Sequence, residues 1–348
     1  LFKKMAELDL LGITKDEEYG GMGLDYSYGI VFAEALGHAD DCGIVTAIGV
    51  QTDMATPALE RYGSTELKQE FLVPAIKGDM VTSVAISEHG GGSDVSALKT
   101  NAIKKDDDYI INGQKVWIST AQVADKVLLL ARTTPLEAVK KPTHGLSLFY
   151  TDFDRKKITV HEIEKMGRKA VDSNELFIDG LEIPVEDRIG EEGKGFEYIL
   201  HGMNPERILI AGEAVGLGRA ALNKATQYAK ERVVFNRSIG QNQGIQHPLA
   251  VCWAELEAAW LMVMSAAWQY DSHQSCGAAA NAAKYLAGEA GFHACETAVM
   301  THGGFGYAKE YHVERYLRES MVPRIAPVSP QLALCYIAER VLGLDKSY

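Results

Sequence analysis

The 348-residue sequence predicts an α+β protein in which a helical region, a β-rich region and a second helical region follow one another. Three observations predict this order. Residues 1–80 repeat apolar side chains at three- and four-residue spacing, residues 81–190 form short β-rich runs between turn signals, and residues 191–348 return to long amphipathic runs. The length and a hydrophobic fraction of 47% suffice for two or three packed domains.

The first region, residues 1–80, is predicted to be an N-terminal α-helical domain. Helical spacing recurs in LFKKMAELDLLGI, YSYGIVFAEALGHA, MATPALERYG and STELKQEFLVPAIKG. Ser64 can cap the helix that follows it, and the glycines of YGGMGL indicate a loop. Because the chain begins inside a helical pattern, we expect a native segment with the first helix to precede Leu1.

The middle region, residues 81–190, is predicted to be an antiparallel barrel or sandwich. Its runs include VTSVAIS, DYIINGQKVWIS, DKVLLLART, HGLSLFYTDF, KITVHEIEKM and NELFIDGLEIPV, with no long helical run between them. This succession argues against a doubly wound sheet, whose parallel strands need helical crossovers. Asn112-Gly113, between YII and QKVW, predicts a hairpin turn.

The last region, residues 191–348, is predicted to be a C-terminal four-helix bundle, with its last helix over about residues 330–342. Its longest run is predicted to begin at Asn204-Pro205, because asparagine caps helices and proline suits a first turn. Glu206 then lies in the first turn beside the cation of Arg207. These residues alone favour a carboxylate that complements the helix dipole over a functional one.

Composition excludes several classes of function. The formal charge of −12 without a dense basic run argues against binding of nucleic acid. We find no run of about 18 apolar residues, and therefore expect no membrane span. The five cysteines lack CxxC spacing, which indicates reduced, structural thiols in a reducing compartment. The histidines lack ligand spacing such as HExxH, so we expect no metal site.

Four further motifs are ambiguous by themselves. Gly216-Leu-Gly218-Arg-Ala-Ala221 matches a dinucleotide fingerprint, but it lies in a helical period with no preceding strand. Gly212 and Gly216 are instead predicted to let another helix approach closely. HGGGSD is either a ligand-facing turn or an ordinary loop. GGFGY either meets a phosphate or ring or simply ends a helix. ERVVFNRSIGQNQ either binds an anionic, planar cofactor or complements a helix dipole.

Together, these motifs resemble the acyl-CoA dehydrogenase family of flavoproteins over essentially the whole chain. The resemblance rests on AISEHGGGSD, YIINGQKVWIS, KMGRKAVDSNELFIDGLEIP, GEEGKGF, ERVVFNRSIGQNQGIQ and GGFGYAKEY, in this order and at the family's spacing. It implies an N-terminal α-helical domain, a middle antiparallel β-barrel domain and a C-terminal four-helix bundle. It also implies FAD bound without a Rossmann fold, in agreement with the missing dinucleotide fingerprint.

The resemblance also implies the residues of the site. Cofactor-binding positions are Ala85, Ile86 and Ser87 along the flavin pyrimidine, Trp117 and Ser119 near the flavin face and N5, and Arg232, Phe235, Gln243, Gly303 and Gly304 on the FAD of a neighbouring subunit. Ser329 and Gln331 match flavin contacts, and Ser93, Asn204 and Arg207 match positions near the CoA arm. Because each flavin site would be shared, the resemblance implies a homotetramer, or at least a dimer.

Two positions depart from the family pattern. Met300 stands where the family often has a glutamine that contacts FAD. Pro327 stands where most members have the catalytic glutamate, and proline cannot accept a proton. In the isovaleryl-CoA and long-chain branches, the base is instead a glutamate immediately before an arginine at the head of a bundle helix. Glu206-Arg207 has that arrangement, so the resemblance reverses the first interpretation and makes Glu206 the predicted base.

The implied reaction is α,β-dehydrogenation of an acyl-CoA to the trans-2-enoyl-CoA, with Glu206 taking the α proton and flavin N5 the hydride. Electrons would pass to an electron-transferring flavoprotein. An acyl-CoA oxidase that uses oxygen, or a non-catalytic flavin-bearing binding protein of the same fold, are the alternatives. Bacterial cytoplasm and mitochondrial matrix fit equally well, and the length and branching of the acyl group are left open.

Overall fold

The computed structural model describes residues 1–39 and 41–347, which form two compact units. Unit 1 comprises Leu1–Leu24, Thr46–Lys165 and Lys169–Met203. Unit 2 comprises Asp25–Val45, Met166–Arg168 and the chain from Asn204 onward. The order of helices, then strands, then helices agrees with the predicted α+β class.

The N-terminal region is helical, as predicted, although its helices are short. They are α1 (Phe2–Ala6), α2 (Tyr26–Gly37), α3 (Cys42–Gly49), α4 (Pro57–Tyr62), α5 (Thr65–Leu67) and α6 (Val73–Ile76), with π-helical turns at Val50–Ala55 and Lys68–Leu72. The predicted cap is confirmed, because the Ser64 hydroxyl accepts a hydrogen bond from the Leu67 N–H at 3.2 Å.

The β-rich middle region forms one eight-stranded sheet within unit 1. Its strands are β1 (Thr82–Ala85), β2 (Asn101–Lys105), β3 (Asp108–Ser119), β4 (Lys126–Arg132), β5 (Leu146–Asp152), β6 (Ile158–Glu162), β7 (Ser173–Pro184) and β8 (Arg188–Ile189). The order is β6-β7-β3-β2-β4-β5-β8, and β1 pairs with β4. The pairings are antiparallel except β1 with β4 and β2 with β4, whose long connections allow parallel pairing.

The prediction of a hairpin turn at Asn112-Gly113 is wrong. Both residues lie inside β3, and the β2–β3 hairpin turns earlier, between the paired residues Lys105 and Asp108. The Asn112 side chain instead accepts a hydrogen bond from the Gly180 N–H of β7 at 2.9 Å. Long-range strand pairing therefore overrides the local turn preference of the Asn-Gly pair.

Strand β4 lies at the centre of the packing of unit 1 because both of its faces are buried. Leu128 and Leu130 pack into a cluster with the N-terminal helices, whereas Val127 and Leu129 pack into a second cluster within the sheet. This follows from the two-residue period of a strand, which turns alternate side chains to opposite faces.

Unit 2 is built mainly of long helices. They are α7 (Gly195–Glu231), α8 (Gln243–Asp271), α9 (Gly277–His302) and α12 (Pro330–Arg340), with the shorter α10 (Val313–Glu319) and α11 (Met321–Ile325). A small hairpin, β9 (Val233–Val234) with β10 (Arg237–Ser238), joins α7 to α8. Ile208 of α7, Leu256 of α8 and Ala287 of α9 lie in the same buried cluster.

Helix α8 is, by length and composition, apolar enough to cross a membrane, and among the described residues no other helix meets that test. One such helix is weak evidence, because the core helix of a globular domain meets the same test. Leu256, Ala259 and Val263 of α8 lie fully buried in the core of unit 2.

The prediction that a helix begins at Asn204-Pro205 is also wrong. Helix α7 runs without interruption from Gly195 to Glu231, with Pro205 inside it. A proline in a helix interior costs one N–H hydrogen bond, but here Pro205 is buried and its carbonyl accepts a hydrogen bond from the Tyr26 hydroxyl at 2.8 Å. Asn204 is therefore not a cap, and Glu206 lies about three turns from the helix N-terminus, where the helix dipole no longer acts on it.

The prediction that Gly212 and Gly216 admit a close helix is confirmed. A Cβ atom added to Gly216 would lie 2.0 Å from the Glu34 carbonyl oxygen of α2, and one added to Gly212 would lie 3.2 Å from the Ile30 carbonyl oxygen. The apparent dinucleotide fingerprint is thus a helix-packing motif.

Substitution Gly216→Ala is expected to lower the free energy of unfolding by about 1–3 kcal/mol, because the new methyl group meets backbone atoms that cannot turn away. The matched control is Gly202→Ala in the same helix, where no atom lies within 4 Å of the added Cβ. That control is expected to raise the free energy by up to about 1 kcal/mol. Urea unfolding of both variants measures the difference, and equal effects would contradict the packing role.

Asp187, which follows β7, predicts a pH dependence of stability. Burial raises the pKa of its carboxyl to about 6, and the Thr151 hydroxyl donates a hydrogen bond to it. Between about pH 4 and pH 6 the folded state thus binds more protons than the unfolded state, so this contribution to stability is lost as the pH rises.

Substitution Asp187→Asn keeps an acceptor for Thr151 and removes this titration. We expect the variant to gain stability relative to the native chain between pH 4 and pH 7, measured by urea unfolding at each pH. The control Glu186→Gln changes an exposed neighbouring carboxylate and is expected to follow the native profile. Parallel profiles for all three chains would contradict the assignment.

Candidate active site

The predicted site residues fall into two sets, one in each unit. In unit 1, Ala85 is the last residue of β1 and is fully buried, whereas Ile86 and Ser87 are half-buried. The segment continues alongside β3, because the Ser87 carbonyl accepts a hydrogen bond from the Val116 N–H at 3.0 Å. The Ser87 N–H has no protein acceptor within the described residues, so it can donate to a ligand.

Trp117 lies in a β-bulge of β3. Lys115 pairs with Leu176 and Ile118 pairs with Asn174, so Val116 and Trp117 together oppose one residue of β7. The bulge gives Trp117 a φ of +64° and leaves its indole 62% exposed. A non-glycine residue in this conformation costs about 1–3 kcal/mol, and such residues are enriched at functional sites. The bulge thus presents a large aromatic surface to a ligand.

Asn174, which is not among the predicted site residues, supports the bulge. Its side-chain amide is buried, donates to the Ile118 carbonyl at 2.8 Å and accepts from Gln122 at 2.9 Å. Ser119, the last residue of β3, is half-buried and pairs with Ser173, the residue before Asn174. No local pattern marks Asn174, because its partners are distant in the sequence.

The glycine-rich loop that contains Ser93 is exposed, as a ligand-facing turn requires. Ser93 is exposed, and open space lies beside Gly90 and Gly92. The base of the loop is closed by Glu88, whose carboxylate accepts from the Lys99 N–H at 2.7 Å and the Thr100 N–H at 2.9 Å.

In unit 2, the candidate base lies beside its predicted partners on one turn of α7. Glu206 and Arg207 are half-buried, and the Arg207 guanidinium donates to the Asn204 side-chain oxygen at 3.3 Å. Burial lowers the pKa of Arg207, and the negative charge of Glu206 opposes that shift. The two charges therefore stabilise each other in a partly desolvated place.

The segment with Pro327 leads into α12. The Ser329 hydroxyl caps this helix by accepting from the Leu332 N–H at 3.3 Å, and Gln331 is exposed in its first turn. Val328 is buried, and in the described part of the chain its N–H has no protein acceptor. A thioester carbonyl could accept that hydrogen bond.

Lys284 of α9, also not among the predicted site residues, contacts the chain just before this segment. Its ammonium donates to the Arg324 carbonyl at 2.7 Å, at the end of α11. The Arg324 guanidinium in turn pairs with both carboxylate oxygens of Glu289, at 2.9 and 3.0 Å. Burial lowers the pKa of Lys284 to about 8.

A second part of unit 2 has an open, shallow cavity of about 570 Å³ that brings together three predicted cofactor residues, Arg232, Gly303 and Gly304. Arg232 lies 5.6 Å from the centre of the Phe305 ring, and the His302 ring stacks on Tyr228 at 4.2 Å. Gly303 has a φ of +60° and ends α9, and open space lies beside both glycines. A cation, exposed backbone and aromatic rings suit an anionic, planar ligand.

Phe235, Gln243 and Met300 are not among the lining residues of this cavity. Phe235 lies at the tip of the β9–β10 hairpin with a φ of +52° and is 95% exposed, and Gln243 is the exposed first residue of α8. Met300 is also exposed, near the end of α9. The structure therefore places these three residues at the surface of unit 2.

The residues present fit FAD. Unit 1 offers the exposed indole of Trp117 and the Ser87 N–H to an aromatic ring with carbonyl acceptors. Unit 2 offers Arg232 and the open backbone at Gly303 and Gly304 to a pyrophosphate.

Comparison with known proteins agrees with this chemistry. The chain matches the N-terminal domain of acyl-CoA dehydrogenases over residues 1–79, their middle domain over residues 83–181 and their C-terminal domain over residues 193–342. It is 35% identical to an acyl-CoA dehydrogenase of Bacillus subtilis over 345 residues, which cover 99% of this chain and 89% of that protein.

Solved structures are similar over the whole chain. One is a chain in a structure titled for the electron transferring flavoprotein of Acidaminococcus fermentans, with a TM-score of 0.93, 32% identity and coverage of 98% of this chain and 89% of that one. Another is the FAD complex of PigA, with a TM-score of 0.92, 27% identity and coverage of 99% and 89%. The chain belongs to the acyl-CoA dehydrogenase family, and it is an FAD-dependent oxidoreductase that acts on acyl-CoA.

Proposed function

We propose that Glu206 is the base that removes the α proton of the acyl-CoA while the β hydride passes to flavin N5, giving the trans-2-enoyl-CoA. The observation that carries this proposal is the place of Glu206 inside α7, about three turns from its N-terminus and half-buried beside Arg207. A carboxylate this far from the helix N-terminus does not interact favourably with the helix dipole. Pro327, at the usual position of the base, has no group that can take a proton.

The chain's own groups supply the acid–base chemistry. Glu206 must be unprotonated to accept the α proton, and the positive charge of Arg207 beside it stabilises its carboxylate. Asn204 holds the Arg207 guanidinium through the hydrogen bond at 3.3 Å. When bound, FAD supplies the hydride acceptor.

The thioester carbonyl needs a hydrogen-bond donor, because negative charge builds on its oxygen as the α proton leaves. Pro327 has no N–H, so we assign this role to the Val328 N–H. Support comes from the burial of Val328 and from the lack of a protein acceptor for its N–H in the described residues. Lys284 supports the segment through the Arg324 carbonyl.

We assign the remaining contacts by the family resemblance. Ser93, Asn204 and Arg207 would bind the CoA arm, and the enzyme would pass its electrons to an electron-transferring flavoprotein. The similar chain in the Acidaminococcus fermentans structure supports that partner. A homotetramer, or at least a dimer, would cover the exposed Phe235 and share each FAD between subunits.

Substitution Glu206→Gln in FAD-loaded protein is expected to slow flavin reduction by an acyl-CoA by about 10²- to 10⁴-fold, because the amide cannot take the α proton. The matched control is Glu197→Gln, an exposed carboxylate of the same helix, which is expected to reduce at the native rate. Anaerobic stopped-flow absorbance of the flavin measures both. Undiminished reduction in Glu206→Gln would contradict the assignment.

Straight acyl-CoAs from about C4 to C16 and branched ones serve as substrates in this experiment, because the acyl group is not assigned. If none of them bleaches the flavin of the native protein, the non-catalytic alternative gains support over the dehydrogenase.

The electron acceptor is tested separately. Protein reduced by acyl-CoA under anaerobic conditions is mixed with electron-transferring flavoprotein or with air-saturated buffer, and reoxidation is followed by stopped flow. A dehydrogenase is expected to reoxidise much faster with the flavoprotein than with oxygen. Rapid reoxidation by oxygen alone would identify an oxidase.

A further inference from the structure

Lys115 is a fully buried lysine whose three ammonium protons all have acceptors. The ammonium donates hydrogen bonds to the Ile86 carbonyl at 2.9 Å, the Leu130 carbonyl at 2.8 Å and the Glu88 carboxylate at 3.1 Å. Leu130 belongs to the buried strand β4, whereas Ile86 and Glu88 flank Ser87. One ammonium group therefore attaches the segment around Ser87 to the core of unit 1.

Glu88 extends this attachment to the far end of the glycine-rich loop. Its two carboxylate oxygens accept from Lys115 and from the N–H groups of Lys99 and Thr100. The lysine and these N–H groups lower the pKa of the Glu88 carboxyl against the effect of burial. The pair thus fixes where the loop of residues 88–100 leaves and rejoins the sheet.

The contact with Ile86 has an electronic consequence for the next residue. The Ile86 carbonyl and the Ser87 N–H belong to the same peptide group. A cation at the oxygen of a peptide group polarises it and makes its N–H a stronger donor. The Ser87 carbonyl is occupied by the Val116 N–H, while the Ser87 N–H is directed to no protein acceptor in the part of the chain that the structure describes.

We propose that Lys115 is a positioning residue for the flavin: it fixes and polarises the Ile86–Ser87 peptide so that the Ser87 N–H donates to a carbonyl acceptor of the flavin pyrimidine. The reduced flavin carries more negative charge than the oxidised flavin, so a stronger donor and a nearby cation raise its reduction potential. The proposal rests on the placement of the flavin along Ala85–Ser87, but not on Glu206.

A buried ion pair is a costly way to anchor a strand. Burial lowers the pKa of Lys115 to about 8, which means that the folded protein disfavours the charged amine it holds. A protein in which both members of such a pair are replaced by well-packed apolar side chains is often as stable or more stable, whereas loss of one member alone is destabilising. An electrostatic role toward a ligand accounts for a lysine at this position.

Unit 1 offers a matched control for the merely structural role. The buried Lys15 donates to Glu60 at 3.2 Å, which joins the N-terminal loop to α4. Lys15 has no hydrogen bond to the segment of residues 85–93. Substitution of either lysine by methionine removes one buried ammonium group of the same unit.

The experiment compares Lys115→Met, Lys15→Met and the native protein by three measurements: FAD affinity of the apoprotein from flavin fluorescence, the reduction potential of the bound flavin, and the thermal midpoint of the apoprotein. Both variants are expected to lower the midpoint. Lys115→Met is expected to weaken FAD binding at least tenfold and to weaken binding of the reduced form a further tenfold, which lowers a two-electron potential by about 30 mV.

Equal FAD affinity and potential in Lys115→Met and Lys15→Met would overturn the proposal and leave Lys115 a structural residue. If Lys115→Met does not fold, Glu88→Gln decides. That variant removes the carboxylate that raises the pKa of Lys115, so it is measured at pH 6, where the amine is expected to stay charged on the Ile86 carbonyl without its counter-charge, and the potential is expected to rise. An unchanged or lower potential in Glu88→Gln would overturn the proposal. Neither result depends on proton removal by Glu206.

Discussion

The candidate site depends on the hydrogen bonds that buried cations donate to backbone carbonyls. Lys115 holds Ile86 in this way, and Arg132 donates to the Ser96 carbonyl at 2.7 Å and the His144 carbonyl at 3.1 Å. In unit 2, Lys284 holds the Arg324 carbonyl. Burial of a cation carries a desolvation cost, and hydrogen bonds to carbonyl and carboxylate oxygens offset it. The loops that present site residues are therefore ordered by strongly directional contacts and not by apolar packing alone.

The second constraint is the close contact between α2 and α7. Gly216 brings the two helices so near that a methyl group would clash with the backbone of α2, and the Tyr26 hydroxyl of α2 binds the Pro205 carbonyl. These contacts hold α7 in one continuous helix past its proline, and Glu206 consequently lies within the helix, next to Arg207. The packing of two helices thus determines the electrostatic setting of the proposed base.

Strain in the backbone has a comparable role in unit 1. Trp117 keeps a positive φ because the β3–β7 ladder on both sides of the bulge and the buried Asn174 amide hold it there. Hydrogen bonds formed elsewhere in the sheet offset the conformational cost of this positive φ. The bulge places an aromatic face at the surface, two residues after the lysine that anchors Ile86.

Local pattern predicted the class of each region and the Ser64 cap, because those features depend on residues near one another in the chain. Glycines within a helical period also predicted a close approach at Gly216, but the partner helix α2 is distant in the sequence. The family motifs predicted FAD, and Pro327 directed attention to Glu206. Local pattern failed at Asn112-Gly113 and at Pro205, where pairing with β7 and continuation of α7 outweighed a turn or capping preference of about 1 kcal/mol.

The sequence by itself determined the α+β order, the family and the types of residue available for the chemistry. Only the tertiary structure decided that Glu206 lies inside a helix, that Trp117 sits in a bulge, and that Lys115 joins Ile86, Glu88 and Leu130. The physical reason is the same in each case. For a lysine in an alternating strand, the local sequence does not show whether the ammonium faces solvent or three buried acceptors. Those acceptors come from segments that meet only after the sheet has formed.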